Sequence, residues 1–314
     1  MTLSIVIVNW NAGEQLKECL NSIICYHSNL IDEVVILDNN STDDSITNIS
    51  NLKTDDFAIR LICSQSNLGF GKACNVASKN IKSKYILFLN PDAQIYFDTL
   101  TKVINYMEEN NDVGVCGIKL IDSSNKIQKH CTVQPRLKHY FNHATGLSAV
   151  SSKLFPYIFL KDLDYDKDAD VPHTIGAFYC IRNELFKSLK GFDELFFVYL
   201  EDLDLSRRVL DKGFRIHYLS TAAAFHKGGG TSEQVKAFRL FYSLRSRILF
   251  GFKHFPLWQA YVLLFLTIVL ELFTRTLRGI LHFSRIEVAN TLKAYRMLYK
   301  ELPGLIRRGR KING

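Results

Sequence analysis

Residues 85–92, Tyr85-Ile86-Leu87-Phe88-Leu89-Asn90-Pro91-Asp92, pass from five consecutive apolar side chains to an amide, a stiff turn and a carboxylate. A run with no polar alternation reads as a strand covered on both faces, the mark of a mostly parallel sheet with helices on each side. The same pattern extends in both directions. Residues 3–9 form a β-branched run, residues 14–25 carry Leu16, Cys19, Leu20, Ile23 and Ile24 at helical spacing, and Val34-Val35-Ile36-Leu37 is a second buried strand. Strands near 58–63 and 113–120 and helices near 70–80 and 97–109 continue the alternation. Residues 121–172 lack periodicity and read as loops that shape a substrate entrance. Beyond them come a strand at 176–182, a helix at 200–212, and a short strand within 214–225 that gives way to a small-residue segment. The expected fold class is α/β. Ligands of such sheets lie beyond the carboxyl ends of the strands. Polar residues gather there: Asn9 and Asn11, then Asp38-Asn39-Asn40-Ser41, then Asn67, then Asn90-Pro91-Asp92.

Composition narrows the class. The 314 residues are 47% apolar and 22% charged, which excludes disordered and fibrous proteins. Residues 231–314 hold 15 Lys and Arg against 4 Asp and Glu, whereas residues 1–230 hold 24 against 27. A basic end on a mildly acidic body points to an encounter with an anionic surface. Seven scattered cysteines without a C-x-x-C pair disfavour a disulfide framework or a zinc site and fit a reducing compartment. Residues 1–8 have no basic stretch and no cleavage site, so they read as a first strand and the expected location is the cytoplasm.

Several side chains carry chemistry. Asp38 ends a strand where its carboxylate serves either as a turn residue or as the acceptor for the imide N–H of a pyrimidine, with Ser41 or Thr42 placed to cap the next helix. Asp92 is a second strand-end carboxylate. Glu201, Asp202 and Asp204 crowd a helix start, where the dipole favours negative charge. Asp202 and Asp204, two apart, face different sides, so one can look into the crevice while the other is solvated. His226 follows an apolar run and reads as a structural histidine or, with a carboxylate, as a site for a divalent cation.

Seven motifs in order then carry a resemblance: Ser4 to Asn11, Val35 to Asp43, Asn67-Leu68-Gly69-Phe70-Gly71, Phe88 to Ala93, Gly176-Ala177-Phe178, Gly191-Phe192-Asp193-Glu194 and Leu200 to Leu205. Together they resemble the inverting family 2 glycosyltransferases, most closely the rhamnosyltransferase-like branch. The resemblance spans residues 3–232. It implies a GT-A fold: a mixed, mostly parallel sheet with helices on both faces that binds a nucleotide diphosphate sugar. Val8 and Asn9 would line the nucleoside, Asp38 would contact the base, and Asn67 and Gly69 would lie against the ribose or diphosphate. Gly176 and Ala177 belong to the donor site. Asp92 matches the second acid of the family's D-x-D motif, with Asn90 in the first position as a helper, and His226 resembles the histidine that completes metal coordination. The cofactor is then Mg²⁺ or Mn²⁺. Asp202 matches the catalytic acid of the E-D pair, beside Glu201.

The implied reaction moves one sugar, dTDP-L-rhamnose being the expected donor and a UDP-sugar the alternative, onto a lipid-diphosphate-linked saccharide in bacterial surface polysaccharide synthesis. An NAD-dependent oxidoreductase is a rival, because Gly69-Phe70-Gly71-Lys72-Ala73-Cys74 resembles a dinucleotide loop, although Cys74 replaces its third glycine. A membrane or nucleic-acid binding module with an inert body is another. Nucleic acid fits poorly, because residues 257–270 offer it almost no polar atom. The expected division is a catalytic domain at 1–232 and amphipathic and apolar helices at 233–314. The apolar run of fourteen residues falls short of the roughly 20 that span a bilayer. Docking at the inner face of the cytoplasmic membrane is therefore expected, with packing or oligomerisation as the alternative role.

Overall fold

A computed structural model describes residues 2–26, 29–228 and 235–313. The expected boundary at 232/233, with Gly229 and Gly230, lies outside the described residues. The chain forms two compact units. One comprises Met1–Val133, Leu160–Glu194 and Glu201–Thr231, and the other Gln134–Phe159, Leu195–Leu200 and Ser232–Gly314.

The first unit is built on strands β1 (Leu3–Asn9), β2 (Ile31–Asp38), β3 (Ala58–Cys63), β4 (Tyr85–Leu89), β5 (Ala93–Ile95), β6 (Val113–Ile121), β7 (Ala169–Asp170), β8 (Phe178–Arg182) and β9 (Arg215–His226). They make one sheet in the order β3-β2-β1-β4-β8-β6-β9-β5, with β7 on β9. β3, β2, β1 and β4 are mutually parallel, β8 runs antiparallel between β4 and β6, and β6 and β9 are parallel.

Alternation along each strand sends side chains to opposite faces. Leu3, Ile5, Ile7, Ile36, Leu87 and Leu89 enter a core with Leu16, Leu20 and Ile23 of helix Glu14–Cys25 and Leu100, Val103 and Met107 of helix Thr99–Glu109. Val6, Val8, Val35, Leu37, Ile86 and Phe88 enter the other, with Ala73, Cys74 and Ala77 of helix Phe70–Ser78 and Leu205 and Val209 of helix Glu201–Asp211.

Several expectations change. Residues 214–225 do not break after a short strand: Arg215–His226 is one strand of 12 residues, because its small segment pairs with β6 on one side and β5 on the other. Residues 121–172 are not all loop; they contain helices Leu137–Ala144 and Leu147–Val150 and strand β7, each too short to repeat a hydrophobic period. Ser41 and Thr42 do not cap the following helix, whose N-cap is Asp44.

The second unit is helical. Lys236–His254 is followed by a continuous helical segment, Leu257–Leu281, of 25 residues with mean hydropathy 1.8 in its most apolar window. The expected limit of fourteen residues is thus exceeded, because Glu271 does not end the helix. Glu271 is buried against Arg247 and accepts a 2.7 Å hydrogen bond from Arg275 Nε, and Arg247 lies over the ring of Tyr140. Burial pushes the Glu271 carboxyl up, but Arg247 and Arg275 outweigh it and hold its pKa at about 2. The segment widens into a π turn at Leu266–Leu270, where Tyr295 and Tyr299 of helix Arg285–Asn313 donate to the carbonyls of Thr267 and Ile268 at 2.9 and 2.6 Å.

Candidate functional site

The carboxyl ends of β2, β1 and β4 and the start of β8 collect the polar side chains. In the parallel register Asn9 stands opposite Asp38. Asn9 Nδ2 donates to Asp38 Oδ1 at 2.8 Å, to Ser45 Oγ at 2.8 Å and to Ser41 Oγ at 3.0 Å. Asp38 Oδ2 accepts the Ser41 N–H. The carboxylate is therefore clamped in one orientation, with lone pairs left on both oxygens. Asn9 Oδ1 is buried with no partner among the described residues. Ser41 also receives the Asn11 N–H at 2.9 Å, and it lies three residues before the Asp44 N-cap.

Asn67 and Gly69 sit in the loop after β3. Asn39 ties them to the Asp38 turn: its Nδ2 donates to Asn67 Oδ1 and to the Gly69 carbonyl, and its Oδ1 accepts the Leu68 N–H at 2.7 Å. Gly69 opens helix Phe70–Ser78 at φ 79°, a conformation that favours glycine. A side chain at Gly71 would meet Phe192 Cβ at 3.1 Å and Glu201 Cβ at 3.4 Å. The glycine thus permits close packing on the Glu201 helix, and the loop follows an edge strand rather than the first strand of a dinucleotide fold.

The Asn90 and Asp92 turn is joined to the next group by backbone. Asn90 N–H donates to the Ala177 carbonyl at 3.0 Å, and the neighbouring Gly176 N–H donates to Asp202 Oδ2 at 2.8 Å. Gly176 and Ala177 thus link the two carboxylate-bearing turns. Asp202 Oδ1 accepts the Leu203 N–H, and Oδ2 lies 3.9 Å from His173 Nε2. Glu201 is buried, and its Oε2 has no partner among the described residues. Burial first, then the Asp202 charge, pushes its carboxyl well above the usual range. The expected split between a crevice-facing and a solvated carboxylate does not hold: Asp204 is fully buried and ion-paired to Arg208 Nε at 2.8 Å. Arg208 also donates to the carbonyls of Leu189 and Gly191, so this carboxylate anchors a turn.

β5 lies beside β9 with Ala93 opposite His226, which brings His226 Nε2 to 3.5 Å from Asp92 Oδ1. Gln128 orients the ring. Its Nε2 donates to the His226 carbonyl at 2.8 Å, leaving Oε1 to receive His226 Nδ1–H at 2.7 Å. Nε2 then presents its lone pair toward a carboxylate oxygen, an arrangement of two acceptors that a cation between them satisfies. These residues fit a divalent ion. They are two protein ligands; no group of three or more His, Cys, Asp or Glu side chains converges among the described residues.

The sequence did not single out Gln128, His173, Ser206 or Tyr179. Their residue types are ordinary at any surface or core position, and their partners lie far along the chain.

The family sequence model described as Glycosyl transferase family 2 matches residues 4–189. Rhamnosyltransferase WbbL of Escherichia coli K12 is 29% identical over 166 residues, which cover 50% of this chain and 60% of WbbL. The match thus spans less than two thirds of that relative. The N-acetylglucosaminyl-diphospho-decaprenol L-rhamnosyltransferase of Mycobacterium tuberculosis is 22% identical over 279 residues, 82% of this chain and 87% of that protein. Among solved structures, the mannosyltransferase PcManGT of Pyrobaculum calidifontis, in complex with GDP-Man and Mn²⁺, matches with a TM-score of 0.54 at 15% identity over 95% of this chain and 86% of its own. The fold is GT-A, and the chain belongs to glycosyl transferase family 2.

Proposed function

We propose that this chain transfers one sugar, with inversion, from a nucleotide diphosphate sugar to a hydroxyl of a lipid-diphosphate-linked saccharide in bacterial surface polysaccharide synthesis. dTDP-L-rhamnose is the favoured donor, supported by the rhamnosyltransferases among the relatives, and a UDP-sugar is the alternative. The observation that carries the reading is the Gly176-Ala177 backbone, which holds the Asp202 carboxylate on one side and the Asn90-Pro91-Asp92 turn on the other. An in-line displacement needs a base and a leaving-group site arranged about one anomeric carbon.

In this reading Asp38 receives the imide N–H of the pyrimidine, and Val8, Asn9, Asn67 and Gly69 line the nucleoside and diphosphate. Asp202 takes the proton of the acceptor hydroxyl as that oxygen attacks. The sugar–phosphate bond breaks on the opposite face, and the nucleoside diphosphate departs without a covalent intermediate. A divalent cation, Mg²⁺ or Mn²⁺, held by Asp92 and His226 with Asn90 nearby, would neutralise charge on the diphosphate.

The helical unit supports a peripheral location at the cytoplasmic face of the membrane. Trp258, Val262, Phe265, Val269, Phe273 and Leu277 recur at helical spacing and are all exposed, and the stripe continues to Phe283, 94% exposed. Arg275, Arg278, Arg285, Arg307, Arg308, Arg310 and Lys311 supply charge for anionic headgroups. Helix Leu257–Leu281 is long and apolar enough to cross a bilayer. Crossing would pull Glu271 away from Arg247, so an in-plane position with the apolar stripe down is the lower-energy choice.

A thermal-shift screen of sugar nucleotides with MgCl₂ or MnCl₂ tests the donor, since a ligand at a hundred times its Kd stabilises by about 2.7 kcal/mol. A shift with dTDP-L-rhamnose, and an inverted anomeric configuration of the product by NMR, are expected. Stabilisation by NAD and by no pyrimidine sugar nucleotide overturns the proposal.

A further inference from the structure

Behind Asp202 lies a row of buried polar groups that the reaction above does not use. His173 is almost entirely buried, with Nε2 facing Asp202 Oδ2 at 3.9 Å. Its Nδ1 is 2.9 Å from Ser206 Oγ, one helical turn beyond Asp202, and Ser206 Oγ is 3.0 Å from Tyr179 Oη on β8. Three side chains from three segments thus form a line that ends on the carboxylate.

The direction of the protons follows from the chemistry of the groups. Burial pushes the Tyr179 phenol up and the His173 imidazole down, so both are uncharged at pH 7. A phenol is the better donor, so Tyr179 Oη–H goes to Ser206, the serine proton goes to His173 Nδ1, and the one N–H of the neutral ring is left on Nε2. That N–H points at Asp202. The separation of 3.9 Å is long for a hydrogen bond, and contacts to a catalytic group commonly tighten once substrate is bound.

We propose that His173, oriented by Ser206 and Tyr179, is a positioning residue for Asp202, delivering an Nε2–H that fixes the carboxylate's orientation toward the acceptor hydroxyl. The proposal rests on Asp202 as the base. Other titratable groups around it are Glu201 and Asp204 on the same helix, Tyr179 on β8 and His130 beyond His173, with Arg208 committed to Asp204. Among the described residues, His173 is the side-chain donor turned toward this carboxylate, beside the Gly176 and Leu203 backbone N–H groups.

The test is NMR on full-length protein with labelled histidine and aspartate. Long-range ¹⁵N correlation should find His173 neutral with its proton on Nε2 at pH 7, and Ser206→Ala should release that preference. In His173→Leu, which keeps bulk and loses the donor, the Asp202 carboxyl should titrate about one pH unit higher, a tenfold shift in its ionisation equilibrium. His173→Gln, which returns an N–H near the Nε2 position, should restore most of it. A ring protonated on Nδ1, or an Asp202 titration unmoved by His173→Leu, overturns the proposal. Should the leucine variant not fold, Ser206→Ala and Tyr179→Phe carry the same comparison. In parallel, dTDP release from dTDP-L-rhamnose with MnCl₂ by Asp202→Asn tests the base assignment. Retained turnover there removes the base reading, whereas lost turnover with an unmoved titration in His173→Leu removes only the role of His173.

Discussion

His226 Nε2 and Asp92 Oδ1 face one another at 3.5 Å although they lie on opposite sides of most of the first unit's sequence. The antiparallel pairing of β5 with the end of β9 creates this contact, and Gln128 decides which nitrogen of the ring takes part.

Removing Gln128 should therefore weaken metal binding without touching a ligand. Gln128→Leu is expected to lower Mn²⁺ affinity by roughly 10- to 100-fold, the usual effect of losing the partner that orients a ligating histidine. Calorimetric titration with MnCl₂ measures this. Asp92→Ala should lose binding almost completely, and His226→Ala should be partly recovered by excess Mn²⁺. Equal affinity in wild type and Asp92→Ala would exclude the site.

Asp38→Ala deletes a charge-assisted acceptor worth about 1.5–3 kcal/mol, so UDP or dTDP affinity should fall on the order of tenfold to a hundredfold. Asn9→Ala tests the clamp. It leaves the carboxylate in place but free to rotate, and a smaller loss is expected. Unchanged nucleotide affinity in Asp38→Ala, read by calorimetry, removes this residue from the nucleoside site.

Asp202 and Asp204, two residues apart, should separate catalysis from stability. Asp202→Asn is expected to bind nucleotide and metal normally while turnover falls by roughly 10²–10⁴. Asp204→Asn breaks a buried pair, which costs about 3–5 kcal/mol of stability and leaves Arg208 uncompensated. Its melting temperature should drop, with turnover per folded molecule nearly unchanged. The reverse pattern would exchange their roles.

Glu271 makes the helical unit acid-sensitive. Its folded pKa, about 2, lies below the ordinary unfolded value near 4.3. The stabilisation is therefore fully present above pH 4.3 and is lost as pH falls toward 2, on the order of 3 kcal/mol in all. Circular-dichroism melts from pH 7 to pH 3 should show it, and Glu271→Gln should flatten the acid side of the profile. An identical acid profile in that variant would rule out the ion pair as the cause.

Flotation of full-length protein with vesicles containing phosphatidylglycerol tests the apolar stripe. Binding at low salt, reduced by high salt and by Trp258→Ser with Phe273→Ser, is expected. A chain that stays unbound at low salt would leave the stripe as a contact between copies.

Much of the first unit was legible from local chemistry. Nearly unbroken apolar runs at 3–8, 34–37 and 85–89 read as strands covered on both faces, and the polar residues that end them mark the crevice, because a parallel sheet puts all those ends on one side. The order of motifs named the family. Pairings between distant segments were not legible, since nothing in the residue types of Gln128, His173 or Ser206 records which strand end or helix face they meet. The same holds for charge. Asp204 and Glu271 look like surface carboxylates in the sequence, and only tertiary packing buries them against Arg208 and Arg247. Hydrophobic periodicity is set within a few turns of chain, whereas burial and hydrogen-bond partners of a polar group depend on residues a hundred positions away.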